Sequence, residues 1–337
     1  MAIAKRSDFA MKVAFLFPGQ GSQKVGMGQA LFESEPLARE AFEEADEALG
    51  TRISSVCFEG PEEELRLTAN TQPAIMACSV AALRVLQAGG LRPDFVAGHS
   101  LGEYTALVAA GSLRFDDALR LVRQRGRFMQ EAVPPEEGAM AAVVGMDGEA
   151  VAAACAEASS LGVCAPANLN SPRQTVIAGH RSAVEYAMKL LKEKGARRIV
   201  LLAVSAPFHT ELMTPAADRL APLLEATPFS DLAAPLVANV DASLIYSGDE
   251  ARNALARQVA SPVRWCDSVV KLIGEGVTEF IEIGPGKVLS GLVREIARER
   301  ELGGFETLNV EDPKSLGNVL AAVGSVPGAV ASGCEVL

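Results

Sequence analysis

The chain is poor in the residues that metal and redox chemistry need. Only three histidines occur in 337 residues, and no two sit at metal-ligand spacing, which argues against a histidine metal centre. The six cysteines (Cys57, Cys78, Cys155, Cys164, Cys266 and Cys334) form no C-x-x-C pair. Most lie in apolar surroundings and read as reduced, buried thiols of a cytoplasmic protein. No run of eighteen apolar residues is present, so a transmembrane helix is not expected. Residues 1–10 are mixed and polar, without the apolar core of a signal peptide, and read as a loose leader. A basic excess is also missing. Lysine and arginine number 31 against 42 acidic residues, and a net charge of −11 excludes general nucleic-acid binding. These absences leave a chain expected to have no nucleic-acid or membrane partner and no bound cofactor; it is also expected to be a monomer.

What is present is an ordinary globular composition, 49% hydrophobic and 22% charged. Its length suits one large domain carrying an insertion. Val13–Phe17 is a continuous apolar run stopped by Pro18-Gly19, the pattern of a buried strand. Helical patterns follow over 28–49 and 73–88, a strand over 95–97, and helices over 101–110 and 115–131. Strand, helices, strand, helix predicts a parallel sheet covered on both faces. The segment 133–138 (VPPEEG) reads as a boundary. Beyond it the order is strand 139–146, helix 149–159, strands 163–169 and 174–179, helix 182–194 and strand 198–203, the β-α-β-β-α-β order of a ferredoxin-like unit. The chain then returns to the large unit with a helix over 210–226, a strand near 235–239, a helix over 251–260, a strand over 278–283 and a helix from 288. The expected division is 1–134 with 207–325, an inserted 135–206, and a loose Gly/Ala/Val/Ser-rich tail at 326–337.

Gly98–Gly102 (GHSLG) has the form G-x-S-x-G between the 95–97 strand and a helix. That is the context of a nucleophile elbow, in which the serine hydroxyl stands at a helix N-terminus. The free N–H groups and dipole there favour a developing oxyanion. Ser100 is therefore the candidate nucleophile, and it needs a base. His99 adjoins it and points elsewhere at so sharp a turn, and His180 ends a strand of the inserted unit. His209 follows Ser100 in chain order where the large unit resumes, and is the candidate base. No acidic residue stands out as its orienting partner. Asp241, Asp267 and a backbone carbonyl all remain open. The Gly-rich loop after the first strand can bring a backbone N–H to a reacting carbonyl, beside the N–H of Leu101, as a two-donor oxyanion hole. Arg114, Arg120, Arg123, Arg125 and Arg127 lie on or near one helix. One of them beside the strand ends could grip a carboxylate in a two-pronged pair, but spacing alone does not choose which.

With these residues stand further motifs, in order over about 12–312: Phe17–Gln23 (FPGQGSQ), Asn70–Pro73 (NTQP), Gly98–Tyr104 (GHSLGEY), Arg125-Gly126, Gly138–Ala141 (GAMA), Asn168–Pro172 (NLNSP), Ala206–His209 (APFH), Ser261–Trp265 (SPVRW) and Glu282–Gly286 (EIGPG). Together they resemble the malonyl-CoA:acyl carrier protein transacylases. The resemblance implies an α/β-hydrolase-like large domain with an inserted ferredoxin-like small domain. It implies malonyl transfer from malonyl-CoA to acyl carrier protein through a malonyl-Ser100 intermediate, with His209 as base and then acid. Arg125 would bind the malonyl carboxylate, and the N–H groups of Gln20 and Leu101 would form the oxyanion hole. The main-chain carbonyl of Gln258 would orient the histidine, which accounts for the absent aspartate. Gln72 and Asn168 would line the pocket. In related polyketide acyltransferases phenylalanine before the histidine goes with malonyl, so Phe208 points to that cargo. An acidic carrier protein would need a basic patch, for which Lys189, Lys192, Lys194, Arg197 and Arg198 are the candidates. A polyketide-pathway transferase and a serine esterase are the competing readings. The esterase would need no carboxylate-binding arginine.

Overall fold

The computed structural model describes residues 11–134, 136–204 and 206–324. The leader at 1–10 and the tail at 326–337 lie outside the described residues.

Two sheets organise the chain. The larger contains β1 (Val13–Phe17), β2 (Phe95–Gly98), β7 (Leu236–Val237), β8 (Leu244–Ile245), β9 (Glu279–Ile283) and β10 (Glu306–Val310), in the spatial order β10-β9-β1-β2-β7-β8. All its pairings are parallel except the β7–β8 hairpin. The β1 sequence VAFLF is buried at every position, as a central parallel strand should be. Its alternate side chains serve two layers. Val13, Phe15 and Phe17 join the core under the helices Thr68–Ala88 and Phe115–Glu131. Ala14 and Leu16 pack on the other face with Trp265, Val269, Val293 and Ile296.

The smaller sheet contains β3 (Gly138–Val144), β4 (Cys164–Ser171), β5 (Gln174–His180) and β6 (Arg198–Leu201), ordered β4-β5-β3-β6 and antiparallel throughout. Ala139, Ala141 and Val143 pack against Val151, Ala154, Val184 and Ala187 of the helices Gly148–Ala158 and Arg181–Glu193. Met140, Val176 and Ala178 face the other way and join the main core. The period-2 alternation of one strand thus fastens the small sheet to the large one.

Several elements depart from the sequence reading. The helix expected over 28–49 is two, Gln29–Ser34 and Pro36–Leu49, because Pro36 starts a new helix rather than continuing one. The helix expected from Pro73 begins at Thr68. A residue before proline is biased away from helix, which hid the first turn. In the structure the Thr71 hydroxyl bonds the Leu65 carbonyl at 2.5 Å and the helix runs through Pro73. The helix Trp265–Gly274 and the closing pair of β10 and Pro313–Gly324 were not expected, although Pro313 opens the last helix and Gly276 and Gly304 mark turns beside the others.

For function, the placement of β1 and β2 matters most. They are adjacent and parallel, with Phe17 opposite Gly98. The loops leaving their C-terminal ends are therefore neighbours, at the end of the sheet where open α/β folds bind ligands.

Candidate active site

The elbow is built on close backbone contacts that only glycine permits. A Cβ on Gly98 would lie 1.9 Å from the Gly102 carbonyl, and one on Gly102 would lie 2.1 Å from the Phe17 oxygen. With both absent, the turn closes and Ser100 adopts φ +54°, the left-handed region that is strained for a side-chain-bearing residue. Asn239, just past β7, braces the turn. Its Oδ1 accepts from the Ser100 N–H and its Nδ2 donates to the Gly98 carbonyl, both at 2.7 Å.

Ser100 Oγ lies 2.7 Å from His209 Nε2. His209 is 3% exposed, and its Nδ1 lies 3.0 Å from the main-chain oxygen of Gln258. A carbonyl can only accept, so Nδ1 carries the proton and Nε2 is left to accept from the serine. Gln258 is the last residue of the helix Gly248–Gln258, which opens on a Ser247–Glu250 capping box. Carbonyls in a final helical turn lack helical partners, and this one accepts from the imidazole as well as from the Ser261 N–H at 3.3 Å. Neither Asp241 nor Asp267 meets His209. Asp241 pairs with Arg257 and Asp267 with Arg264.

Burial, and after it the Arg125 cation, push the His209 ring down to about 3. It is therefore neutral, and able to accept a proton, through the physiological range. The unfolded chain takes up this proton first, so acidification below the ordinary histidine value destabilises the fold through this group. In a pH titration by NMR, the ring carbons of His209, assigned with a His209→Gln variant, should keep neutral-imidazole shifts down to pH of about 5. A midpoint near the ordinary value would contradict this environment.

Arg125 is 1% exposed. Its guanidinium donates to Gln72 Oε1 at 2.8 Å, Gln258 Oε1 at 2.8 Å and Ser100 Oγ at 3.0 Å, and lies 5.6 Å from the Tyr104 ring centroid. The companion Gly126 explains how a buried arginine reaches this place. A Cβ there would be 2.6 Å from the Thr68 carbonyl oxygen, so glycine lets the two helices approach until Arg125 meets Gln72. The other four arginines do not enter the site. Arg114 and Arg120 pair with Asp116 and Asp117, Arg127 pairs with Glu131, and Arg123 bonds Asn70 and Thr51. A sequence signal for the choice existed. Ala118, Val122, Arg125 and Met129 share the buried stripe of the helix, and no other arginine of that helix lies on it.

Leu101 follows Ser100 and caps the helix Gly102–Ala109. Gln20 follows Gly19, whose added Cβ would lie 2.5 Å from the His99 carbonyl oxygen, so its loop touches the elbow. Phe208 is buried beside His209. Asn168 is buried on β4 where the strand bridges to Val263, and no hydrogen bond joins its side chain to Ser100, His209 or Arg125 among the described residues. His99 turns away from the nucleophile and meets Asn170 at 2.9 Å, its ring near Trp265. A mostly apolar cavity of about 280 Å³ reaches His209 beside β4, lined by Val163, Pro166, Thr210, Ala260 and Pro262. Lys189, Lys192, Lys194, Arg197 and Arg198 are exposed on the small sheet's side of the molecule, and Lys194 pairs with Glu157. Among the described residues no group of metal-ligating side chains occurs, and no helix is long and apolar enough to cross a membrane.

Sequence reasoning missed Glu103 and Asn239. Glu103 is wholly buried, and burial pushes its carboxyl up to about 7 against the lowering pull of Gln258, Asn239 and Arg125. Its signal was a charge in the first turn of a helix otherwise made of apolar and small residues, GEYTALVA.

The elbow alone leaves acyl transfer and hydrolysis open. The model of the acyl transferase domain family matches residues 14–321, which decides the class: the protein is an acyltransferase. The malonyl CoA-acyl carrier protein transacylase of Bacillus subtilis is 51% identical over 306 residues, covering 90% of this chain and 95% of that protein. The enzyme of the same name from Escherichia coli K12 is 51% identical over 284 residues, covering 84% and 92%. The chain belongs to the malonyl CoA-acyl carrier protein transacylase family. Among solved structures, the acyl-carrier-protein S-malonyltransferase of Burkholderia pseudomallei is 48% identical with a TM-score of 0.88, covering 92% of this chain and all of that one (100%). A malonyl-transacylase solved in complex with its type II PKS acyl-carrier protein is 45% identical with a TM-score of 0.89, covering 92% and 99%.

Proposed function

We propose that the protein moves a malonyl group from malonyl-CoA to the phosphopantetheine thiol of acyl carrier protein, through a malonyl ester on Ser100. The observation that carries this reading is the contact of Arg125 with the nucleophile, 3.0 Å from Ser100 Oγ. Malonyl places its free carboxylate two carbon–carbon bonds from the carbonyl under attack. A cation suited to it must stand beside the nucleophile, and a neutral-ester hydrolase has no use for one there.

The steps proposed are these. His209 Nε2 takes the Ser100 proton as Oγ attacks the thioester carbon. The oxyanion is held by the N–H groups of Gln20 and Leu101. Collapse expels coenzyme A, and His209 returns the proton to its sulfur. The carrier thiol then gives its proton to His209 and attacks the ester carbonyl, and His209 returns that proton to Ser100 Oγ as the C–O bond breaks, which frees Ser100. Phe208 beside the base and Gln72 beside Arg125 shape the malonyl site, with Asn168 further along its wall. The apolar cavity beside His209 and β4 suits the pantetheine arm.

Labelled malonyl-CoA tests this reading directly. The label should appear on the protein alone and pass to the carrier on addition of holo-acyl carrier protein. Label released only as free malonate would favour the esterase reading. A polyketide carrier is a second possible acceptor, supported by the related complex with a type II PKS acyl-carrier protein. Relative transfer rates to fatty-acid and polyketide carriers distinguish the two.

The carrier should dock on Lys189, Lys192, Lys194, Arg197 and Arg198, a cationic group on an acidic protein. Charge reversal at Lys189 and Lys192 together is expected to raise KM for the carrier about tenfold at low salt and leave KM for malonyl-CoA unchanged. Equal changes in both constants would place docking elsewhere.

A further inference from the structure

We propose that Glu103 is a positioning residue for this transfer, acting through Gln258 on both His209 and Arg125; the inference rests on the function read above. The Gln258 side chain is where the nucleophile, base and arginine meet. Its Oε1 accepts from Arg125 at 2.8 Å, and its Nε2 donates to the Ser100 carbonyl at 2.9 Å and to Glu103 Oε2 at 2.6 Å. A guanidinium only donates, so the amide must turn its oxygen to Arg125. Its two N–H groups then need two acceptors in a site closed to water, and Glu103 supplies the second. Gln258 is 1% exposed and Glu103 fully buried, so an unmade bond there is not replaced by solvent.

The same carboxylate oxygen holds the elbow. Glu103 Oε2 accepts from the Asn239 N–H at 3.3 Å, and the Asn239 side chain braces Gly98 and Ser100. One buried oxygen thus ties the brace of the nucleophile to the residue whose carbonyl orients the base. Glu103 is also a buried carboxyl one amide away from the buried Arg125 cation. Three of the cation's partners, Gln72, Gln258 and Ser100, are neutral. Without Glu103 the Gln258 amide loses its fixed setting, and with it the acceptor that aims Arg125 and the residue that aims His209.

The test uses the full chain and compares E103L with E103Q in steady-state transfer from malonyl-CoA and acetyl-CoA. E103L fills the space without accepting a hydrogen bond. It is expected to raise KM for malonyl-CoA about tenfold, lower the malonyl-over-acetyl preference about tenfold and lower kcat as well. E103Q keeps an acceptor for Gln258 and should restore KM and preference to within about threefold of the parent. A residue that served folding alone would reduce the active fraction, lowering kcat with KM and preference unchanged. That result in E103L would overturn the proposal, as would an E103Q as impaired as E103L. Should E103L fail to fold, Q258L cuts the same link while keeping the main-chain carbonyl. It must reproduce the rise in KM and the loss of preference, and parental values would overturn the proposal. If the unaltered enzyme itself shows no preference for malonyl, the reading of function fails instead, and the two failures are separable.

Discussion

Ser100→Ala is expected to abolish the malonyl-protein adduct seen by intact mass and to lower transfer by about 10⁴-fold or more, roughly 5.5 kcal/mol of barrier. The expectation follows from what the site leaves behind. Without Oγ there is no covalent intermediate, and the carrier thiol would have to attack malonyl-CoA directly, with the pantetheine arms of donor and acceptor in the site together. His209 and the two N–H donors would remain, so a small residual rate is expected. The substitution is mild for the fold. Ser100 Oγ lies between His209 and Arg125, and Arg125 keeps its bonds to Gln72 and Gln258. The backbone strain of φ +54° is unchanged in kind, because alanine carries the same Cβ. A malonyl mass shift that survives in Ser100→Ala, or transfer within tenfold of the parent, would show that another residue carries the acyl group.

Arg125→Ala should erase most of the discrimination between malonyl and acetyl donors. Each charge-assisted hydrogen bond to a carboxylate contributes about 1.5–3 kcal/mol, so losing a two-pronged grip should lower kcat/KM for malonyl-CoA by about 100-fold or more. Acetyl-CoA carries no carboxylate and should change far less, by less than about tenfold. Arg125→Lys should recover part of the rate, since an ammonium keeps the charge and loses the fork. The fold pays attention to this residue too. The alanine variant strands the Gln72 and Gln258 side-chain oxygens and removes the cation facing Glu103, so its folding is to be checked by circular dichroism before the kinetics are read. A folded Arg125→Ala that still prefers malonyl by a wide margin would remove the residue from substrate recognition.

Much of this architecture was legible in the chain because it is written in local terms. VAFLF stopped by Pro-Gly marks a buried strand, and GHSLG after an apolar run marks an elbow whatever the rest of the chain does. The alternation of strands and helices over 138–201 reads as one unit because every connection in it is short. The helix start at Thr68 was hidden by a local rule that tertiary packing overrode. The helix Trp265–Gly274 was not read although Pro262 precedes it and Gly276, at φ +84°, follows it; its apolar face packs under the large sheet.

The site divides in the same way. Ser100, and a short search among three histidines, came from the sequence by itself, since an elbow is a local structure and histidine is scarce. The buried stripe of the helix Phe115–Glu131 singles out Arg125, but the partners it meets, and the use of a main-chain carbonyl rather than either aspartate, depend on residues far apart in the chain. Arg125 and Gln72 are separated by 53 positions, His209 and Gln258 by 49, and Gln258 and Glu103 by 155. No local pattern encodes such meetings. They are set by the order of parallel strands, by the close helix approach that Gly126 permits, and by burial, which removes water as an alternative partner and makes each polar group depend on the others. The sequence alone therefore named the candidate nucleophile and the candidate base, and it gave the α/β class of the fold. The tertiary structure decided which neutral amide and which buried carboxylate hold them in register, because only in the folded core must every donor find an acceptor.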